Sequence, residues 1–152
     1  MTVTTRPITL ADKQAWLEMR VLLWPENPHD HRIEVGRWFA GELAEPQAVI
    51  IAADGAKPVG FAELSIRAYA EKCDTRNVAY LEGWFVLETE RRRGAGRALI
   101  EAGKQWGRKL GCSEFASDAF PGNKVSIAAH LATGFEDAGV IRCFKQKIQK
   151  QD

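Results

Sequence analysis

Arg91-Arg92-Arg93-Gly94-Ala95-Gly96-Arg97-Ala98 is the stretch on which the fold turns. Before it, Val78–Glu88 is rich in aromatic and β-branched residues and reads as a long central strand. After it the apolar period becomes helical, with Ala95, Ala98, Leu99, Ala102, Trp106 and Leu110 on one face and Gly111 as the stop. Cys112–Asp118 reads as the next strand, so the helix is a crossover between parallel strands. Gly94 and Gly96 carry no side chain, so backbone N–H groups there can approach a ligand closely. The helix start adds unsatisfied N–H donors and the positive end of a dipole. Four arginines add charge-assisted contacts, and the whole suits a pyrophosphate. It is not a Walker loop, because the Gly-Lys-Ser/Thr ending is missing. It is not a dinucleotide fingerprint either: the third glycine would fall at Leu99, and no acidic ribose partner ends the following strand.

Working outward, residues 3–8 read as a strand, and Thr9 with Asp12 reaching back fits a helix start. That helix runs to about Leu23, with Trp16, Leu17, Arg20, Val21 and Trp24 near helical spacing, and Pro25-Glu26-Asn27-Pro28 stops it. A second helix is expected over 31–44, with Val35, Trp38, Phe39 and Leu43 on one side. Gln47–Ala53 and Lys57–Arg67 flank the hairpin signal Asp54-Gly55, and 68–77 is a polar loop. Pro121-Gly122-Asn123 opens a fourth helix ending at Gly134, and Val140–Ile148 reads as a last strand. The order β-α-α-β-β-β-α-β-α-β implies an α/β fold of one domain over 1–152, a central mixed sheet with helices on both faces.

The chain has 152 residues, enough to bury a core without disulfide or metal staples. Hydrophobic residues make up 45% and charged residues 27%, which excludes disorder, collagen and coiled coil. No apolar run reaches the ~18 residues of a membrane span. Lysine and arginine total 21 against 20 acidic residues. A net charge of +1, with no aromatics interleaved around 91–97, argues against an arginine cluster that reads nucleic acid. Cys73, Cys112 and Cys143 are far apart and odd in number, so reduced thiols are expected. The N-terminal residues lack the apolar core of a signal peptide, so a cytoplasmic protein is expected. His29-Asp30-His31 has no further ligand beside it and reads as a loop and helix cap; no metal is expected.

Arg91-x-x-Gly94-x-Gly96 matches the (Gln/Arg)-x-x-Gly-x-(Gly/Ala) signature of the GCN5-related N-acetyltransferases, and the element order resembles their fold. A closer resemblance is to the aminoglycoside 6′-N-acetyltransferases. Leu81-Glu82-Gly83-Trp84-Phe85-Val86-Leu87 looks like their Leu-Glu-Gly-x-(Phe/Tyr)-Val-Leu strand, and Glu114-Phe115-Ala116-Ser117-Asp118 like their Glu-x-Ala-Ser-Asp strand. Leu23-Trp24-Pro25, Ser65-Ile66-Arg67 and Gly134-Phe135-Glu136 also match, and the likeness runs from about residue 16 to 147.

The resemblance implies acetyl transfer from acetyl-CoA to the 6′-amine of an aminoglycoside. It implies pyrophosphate on Arg91, Arg92, Arg93, Gly94, Ala95, Gly96 and Arg97, and pantetheine on Phe85 and Val86. The Trp84 N–H would face the thioester oxygen, and Asn123 would touch the pantetheine or adenosine side. Trp24, Tyr69, Glu82, Asp118 and Glu136 would line the aminoglycoside site. Asp118 is chosen as the base, with Glu82 orienting the substrate; either carboxylate could take the proton. Plainer roles are a Glu82–Arg67 salt bridge, a turn-forming Asp118 before Pro121, and a core Trp24 at its helix end. Many relatives protonate the leaving thiolate with a tyrosine on the last strand; here that position holds Phe144. A thiol's ordinary pKa of ~8.5 lets it leave as thiolate. Similar enzymes are commonly dimers, some by exchange of C-terminal strands, so a homodimer is expected. Acetylation of another small amine or of a peptide N-terminus would use the same turn without needing Glu82 and Asp118 together.

Overall fold

The computed structural model describes residues 2–151. Two compact units make up the chain, the first ending at Asp118 and the second beginning at Ala119.

The first unit is a five-stranded sheet in the order β1 (Val3–Pro7), β2 (Ala48–Asp54), β3 (Lys57–Arg67), β4 (Val78–Val86), β5 (Phe115–Ala116). The first four strands pair antiparallel and β5 pairs parallel to β4, so the sheet is mixed. Helices α1 (Lys13–Leu23) and α2 (Pro28–Phe39) come between β1 and β2, and α3 (Ala95–Lys109) is the crossover from β4 to β5. Alternation along the strands separates two buried layers. Val49, Ile51, Ala53 and Phe61 pack with Trp16, Met19 and Val35 of α1 and α2. On the other face, Gly60 and Leu64 approach Leu99 and Gly103 of α3. Trp16 centres the first layer, edge-on to Trp38 at 5.2 Å and to Phe39 at 5.9 Å. Burial on both faces explains the near-continuous apolar run of β2.

Several elements differ from their reading in the sequence. The second helix covers 28–39 rather than 31–44, because Pro28 starts it: a proline at the first helical position loses no hydrogen bond. His29-Asp30-His31 is therefore its first turn, not a loop, and His31 is buried. The buried stripe of α3 runs through Ala95, Leu99, Ile100, Gly103 and Gly107, whereas Leu110 is exposed. The glycines let the helix lie close on the sheet: a Cβ on Gly103 would stand 2.8 Å from Phe115 Cζ, and one on Gly107 2.7 Å from the Ala79 Cβ. β4 ends at Val86 in a 3-10 turn at Glu88–Glu90, and β5 is two residues rather than the seven of Cys112–Asp118.

The second unit contains α4 (Lys124–Ala132), capped by Asn123, whose side chain accepts from the Ser126 N–H at 3.1 Å. Val140–Ile148 is not a strand: a strand requires a partner ladder, and among the described residues none pairs with it. Its apolar side chains Val140, Phe144 and Ile148 are exposed.

Candidate active site

β4 is gripped on one side and released on the other. Its ladder with β3 carries a bulge: Glu63 faces Gly83 and Leu64 faces Leu81, so Glu82 is the extra residue. Its parallel ladder with β5 comprises only Ala79–Phe115 and Tyr80–Ala116. From Glu82 to Val86 the strand therefore has a splayed edge, and this is the stretch read as facing pantetheine.

The turn beyond β4 is set by two left-handed residues, Arg92 at φ +64° and Gly94 at φ +87°, before α3 begins at Ala95. Its arginines do different work. Arg91 Nε donates to the Val86 carbonyl at 3.0 Å and its guanidinium lies 5.8 Å from the Phe85 ring centroid, pinning the turn to the strand end. Arg93 pairs with buried Glu90 at 3.1 Å, which Lys57 also reaches at 3.3 Å. Arg92 and Arg97 are exposed beside the helix start. A Cβ on Gly96 would meet the Trp84 indole at 3.3 Å, so the Trp84 side chain props the first turn of α3. A left-handed turn opening into helical N–H donors fits a diphosphate.

Glu82 and Asp118 belong to one linked cluster. The Arg67 guanidinium holds the Glu82 carboxylate through both oxygens, with Nη2 at 2.5 Å from Oε1 and 3.0 Å from Oε2. The same guanidinium lies 3.5 Å from the centroid of the Tyr80 ring. The Tyr80 hydroxyl donates to Asp118 Oδ2. The Arg67 partner weighed for Glu82 is thus present, and Tyr80, to which the sequence assigned no role, is the link. Burial, and then Asp118, hold the Tyr80 hydroxyl well above the ordinary tyrosine range.

Trp24 ends α1, and its indole rests on the bulge: a Cβ on Gly83 would stand 2.6 Å from Trp24 Cη2. His31 stacks on Trp24 at 6.1 Å and bonds its carbonyl at 2.8 Å. Because a carbonyl only accepts, His31 Nε2 carries the proton and Nδ1 accepts from Arg20 Nε at 3.3 Å. Arg20 also holds buried Glu63 at 3.1 Å and Glu34 at 2.7 Å. Burial pushes the Glu63 carboxyl up to about 7, opposed by Arg20 and by the Trp16 N–H. Glu34, Glu45, Glu63 and Glu82 line a cleft of about 440 Å³ with Arg20 and Arg37. This network was missed in sequence, since a lone arginine on α1 and a glutamate within an apolar strand carry no spacing signal.

Tyr69 stands exposed in the loop after β3, its hydroxyl donating to Glu71 at 3.3 Å. Glu114 fastens that loop by accepting from the N–H groups of Asp74 at 2.9 Å and Thr75 at 2.7 Å. Glu136 is exposed in the second unit, as is Asn123, the cap of α4. His130 of that unit bonds the Ser126 carbonyl at 2.7 Å and lies 5.1 Å from Phe135. Among the described residues, no helix is long and apolar enough to cross a membrane.

A splayed strand running into an anion-binding helix start defines an acyl-CoA-dependent N-acyltransferase site. The profile of the acetyltransferase (GNAT) family matches residues 14–135, and the chain belongs to that family. More narrowly, it is 46% identical over 145 residues to an aminoglycoside N(6′)-acetyltransferase type 1 of Klebsiella aerogenes, covering 94% of this chain and 95% of that one. Its fold is similar to that of AAC(6′)-Iy in complex with the bisubstrate analogue CoA-S-monomethyl-acetylneamine, with a TM-score of 0.87 and 33% identity, covering 97% and 100% of the two chains. It is similar also to AAC(6′)-Ih from Acinetobacter baumannii, with a TM-score of 0.86, 33% identity and the same coverage.

Proposed function

We propose that this chain is an aminoglycoside 6′-N-acetyltransferase that moves acetyl from acetyl-CoA to the 6′-amine by direct attack. The observation that carries the reading is the joining of Glu82 and Asp118, through Arg67 and Tyr80, beside the splayed strand and its turn. The high identity to enzymes of that name over nearly the whole chain supports the same substrate class.

The amine must lose a proton as it attacks, and the thioester oxygen needs a donor as it gains charge. Asp118 accepts the proton, and Glu82 binds an ammonium group and sets the sugar's orientation. The backbone N–H of Trp84 is the donor to the oxygen. Phe85 and Val86 hold pantetheine by their backbone on the open edge, and Arg91 to Arg97 seat the pyrophosphate. Trp24, resting on Gly83, is the apolar wall for a sugar ring. Tyr69 and Glu136 extend the substrate contacts, and Asn123 contributes to the coenzyme, as the family likeness implies. The two units work as one acetyltransferase domain, in the cytoplasm and without a metal.

The chain acts as a homodimer in this reading. Phe144 is 88% and Ile148 95% exposed, and the polar-rich segment 142–147 that carries Phe144 finds its partner ladder at a sheet edge of a second copy. Static light scattering of the purified chain checks this; a monomer at working concentration refutes it.

The test of the chemistry is a thiol-release assay on 6′-amino and 6′-hydroxy aminoglycosides. Turnover is expected on the amino compounds alone. Asp118→Asn and Glu82→Gln are expected to lower kcat/KM, with loss of the base costing about 10²–10⁴-fold and acetyl-CoA binding kept. Unchanged turnover in both variants removes the assignment.

A further inference from the structure

We propose that Tyr80 is a positioning residue that sets the Asp118 carboxylate for proton transfer, acting from β4 through the hydrogen bond to Oδ2. The inference rests on the reading of Asp118 as the base and deepens it.

Tyr80 is 6% exposed, and its ring is held from two sides. β4 pairs with Ala116 of β5 at this residue, the last rung before the strands part. The Arg67 guanidinium covers the ring at 3.5 Å. The hydroxyl is therefore fixed at the mouth of the splay, two residues before Glu82 and opposite the strand that leads to Asp118. Asp118 itself lies beyond the end of β5 and is exposed. An exposed carboxylate on a chain leaving a strand samples several rotamers, and a general base must be held within hydrogen-bond reach of the proton it takes. The phenol supplies that restraint. With Oδ2 committed to Tyr80, Oδ1 is the oxygen presented to the amine.

The charges around the pair favour the same arrangement. Arg67 faces Tyr80 from β3, Glu82 faces it from β4, and Asp118 faces it from beyond β5. A cation over the ring makes the phenol a better donor. Burial and the neighbouring carboxylates keep it protonated, so it donates throughout the neutral range. Arg67 also holds Glu82, so both acids are set from one guanidinium: Glu82 directly, Asp118 through the ring. The phenol is a fixed donor and not a proton source: a hydroxyl held above the tyrosine range is poorly matched to a leaving thiolate.

Tyr80→Phe keeps the ring beneath Arg67 and removes only the hydroxyl. The experiment measures kcat and KM for the full chain, Tyr80→Phe, Asp118→Asn and the double variant, with a kanamycin-type substrate and acetyl-CoA. Tyr80→Phe is expected to lower kcat/KM for the aminoglycoside by about 10- to 100-fold, the loss when a hydrogen bond to a charged group is removed. KM for acetyl-CoA stays unchanged, which also shows that the variant is folded. The loss falls on kcat rather than on KM for the aminoglycoside, because the base is misplaced while the binding contacts remain. The double variant is no slower than Asp118→Asn alone, since Tyr80 has nothing left to position. An active wild type beside an undiminished Tyr80→Phe overturns the assignment, as does a double variant slower than Asp118→Asn by the full Tyr80→Phe factor. A wild type that turns over no aminoglycoside overturns the proposed reaction and this assignment with it.

Discussion

Gly83→Ala adds one methyl group at the bulge, and the structure says where it goes. The new Cβ would stand 2.6 Å from Trp24 Cη2 and 3.2 Å from Cζ2. Carbon atoms rest at about 3.5–4.0 Å, so the indole must retreat by roughly 1 Å. It cannot retreat freely, because His31 stacks on it and bonds its carbonyl, and the Arg20 guanidinium lies 5.3 Å from its centroid. Overpacking of this kind costs about 1–3 kcal/mol. In a chain of this size each kcal/mol lowers Tm by about 2–4 °C, so the variant is expected to melt roughly 2–12 °C below the parent. Displacement of the wall proposed for the sugar ring is expected to raise KM for aminoglycoside while KM for acetyl-CoA holds. Differential scanning calorimetry and steady-state kinetics on the same preparation read both effects. A second substitution makes the test sharper: Trp24→Phe removes the ring edge that the methyl meets, so Gly83→Ala should cost much less in that background. Equal melting of Gly83→Ala and the parent, or the same penalty with and without Trp24, would refute the reasoning.

The turn proposed for the coenzyme and the stability in acid are open to separate tests. Gly94→Val forces a β-branched residue to φ +87°, at a strain of about 1–2 kcal/mol. KM for acetyl-CoA should rise by about 5- to 30-fold with KM for aminoglycoside unchanged; normal coenzyme affinity counts against the turn. The Arg6 hydrogen bonds hold the Asp12 carboxyl down to about 2. A lowered carboxyl stabilises the fold above its unfolded pKa of ~3.9, and that contribution is lost as pH falls toward 2. Arg6→Gln should therefore lower Tm at pH 6 and flatten its fall between pH 5 and 2; parallel melting curves for parent and variant would contradict this.

The strand-turn-helix at 78–110 was legible because two periods meet at a glycine-rich junction: β-branched and aromatic residues before it, helical spacing after it. The hairpin at Asp54-Gly55 was legible for the same kind of local reason. What escaped reading depends on partners distant in sequence. Gly103 and Gly107 are the buried seam of α3, but a glycine has no hydrophobicity to register in a periodicity, so Trp106 and Leu110 drew the stripe toward themselves. In sequence Pro28 reads as a stop because proline breaks helix interiors, and it is a start because its own N–H is not needed there. Val140–Ile148 has a strand's composition, yet composition does not supply the neighbouring strand. In the site, the two acids were legible as a pair of matched motifs. Tyr80 was not, because its hydroxyl reaches Asp118 across 38 residues of chain.

The seating of α3 has a mechanical corollary. Gly107 touches the sheet some eleven residues from Gly96, a lever of about 16 Å at the rise of a helix. Anything larger at the far end tips the rod and tilts the anchorage at its tip, so a substitution remote from every reactant would register as a coenzyme defect. Along this ridge the tolerance is less than one methyl group.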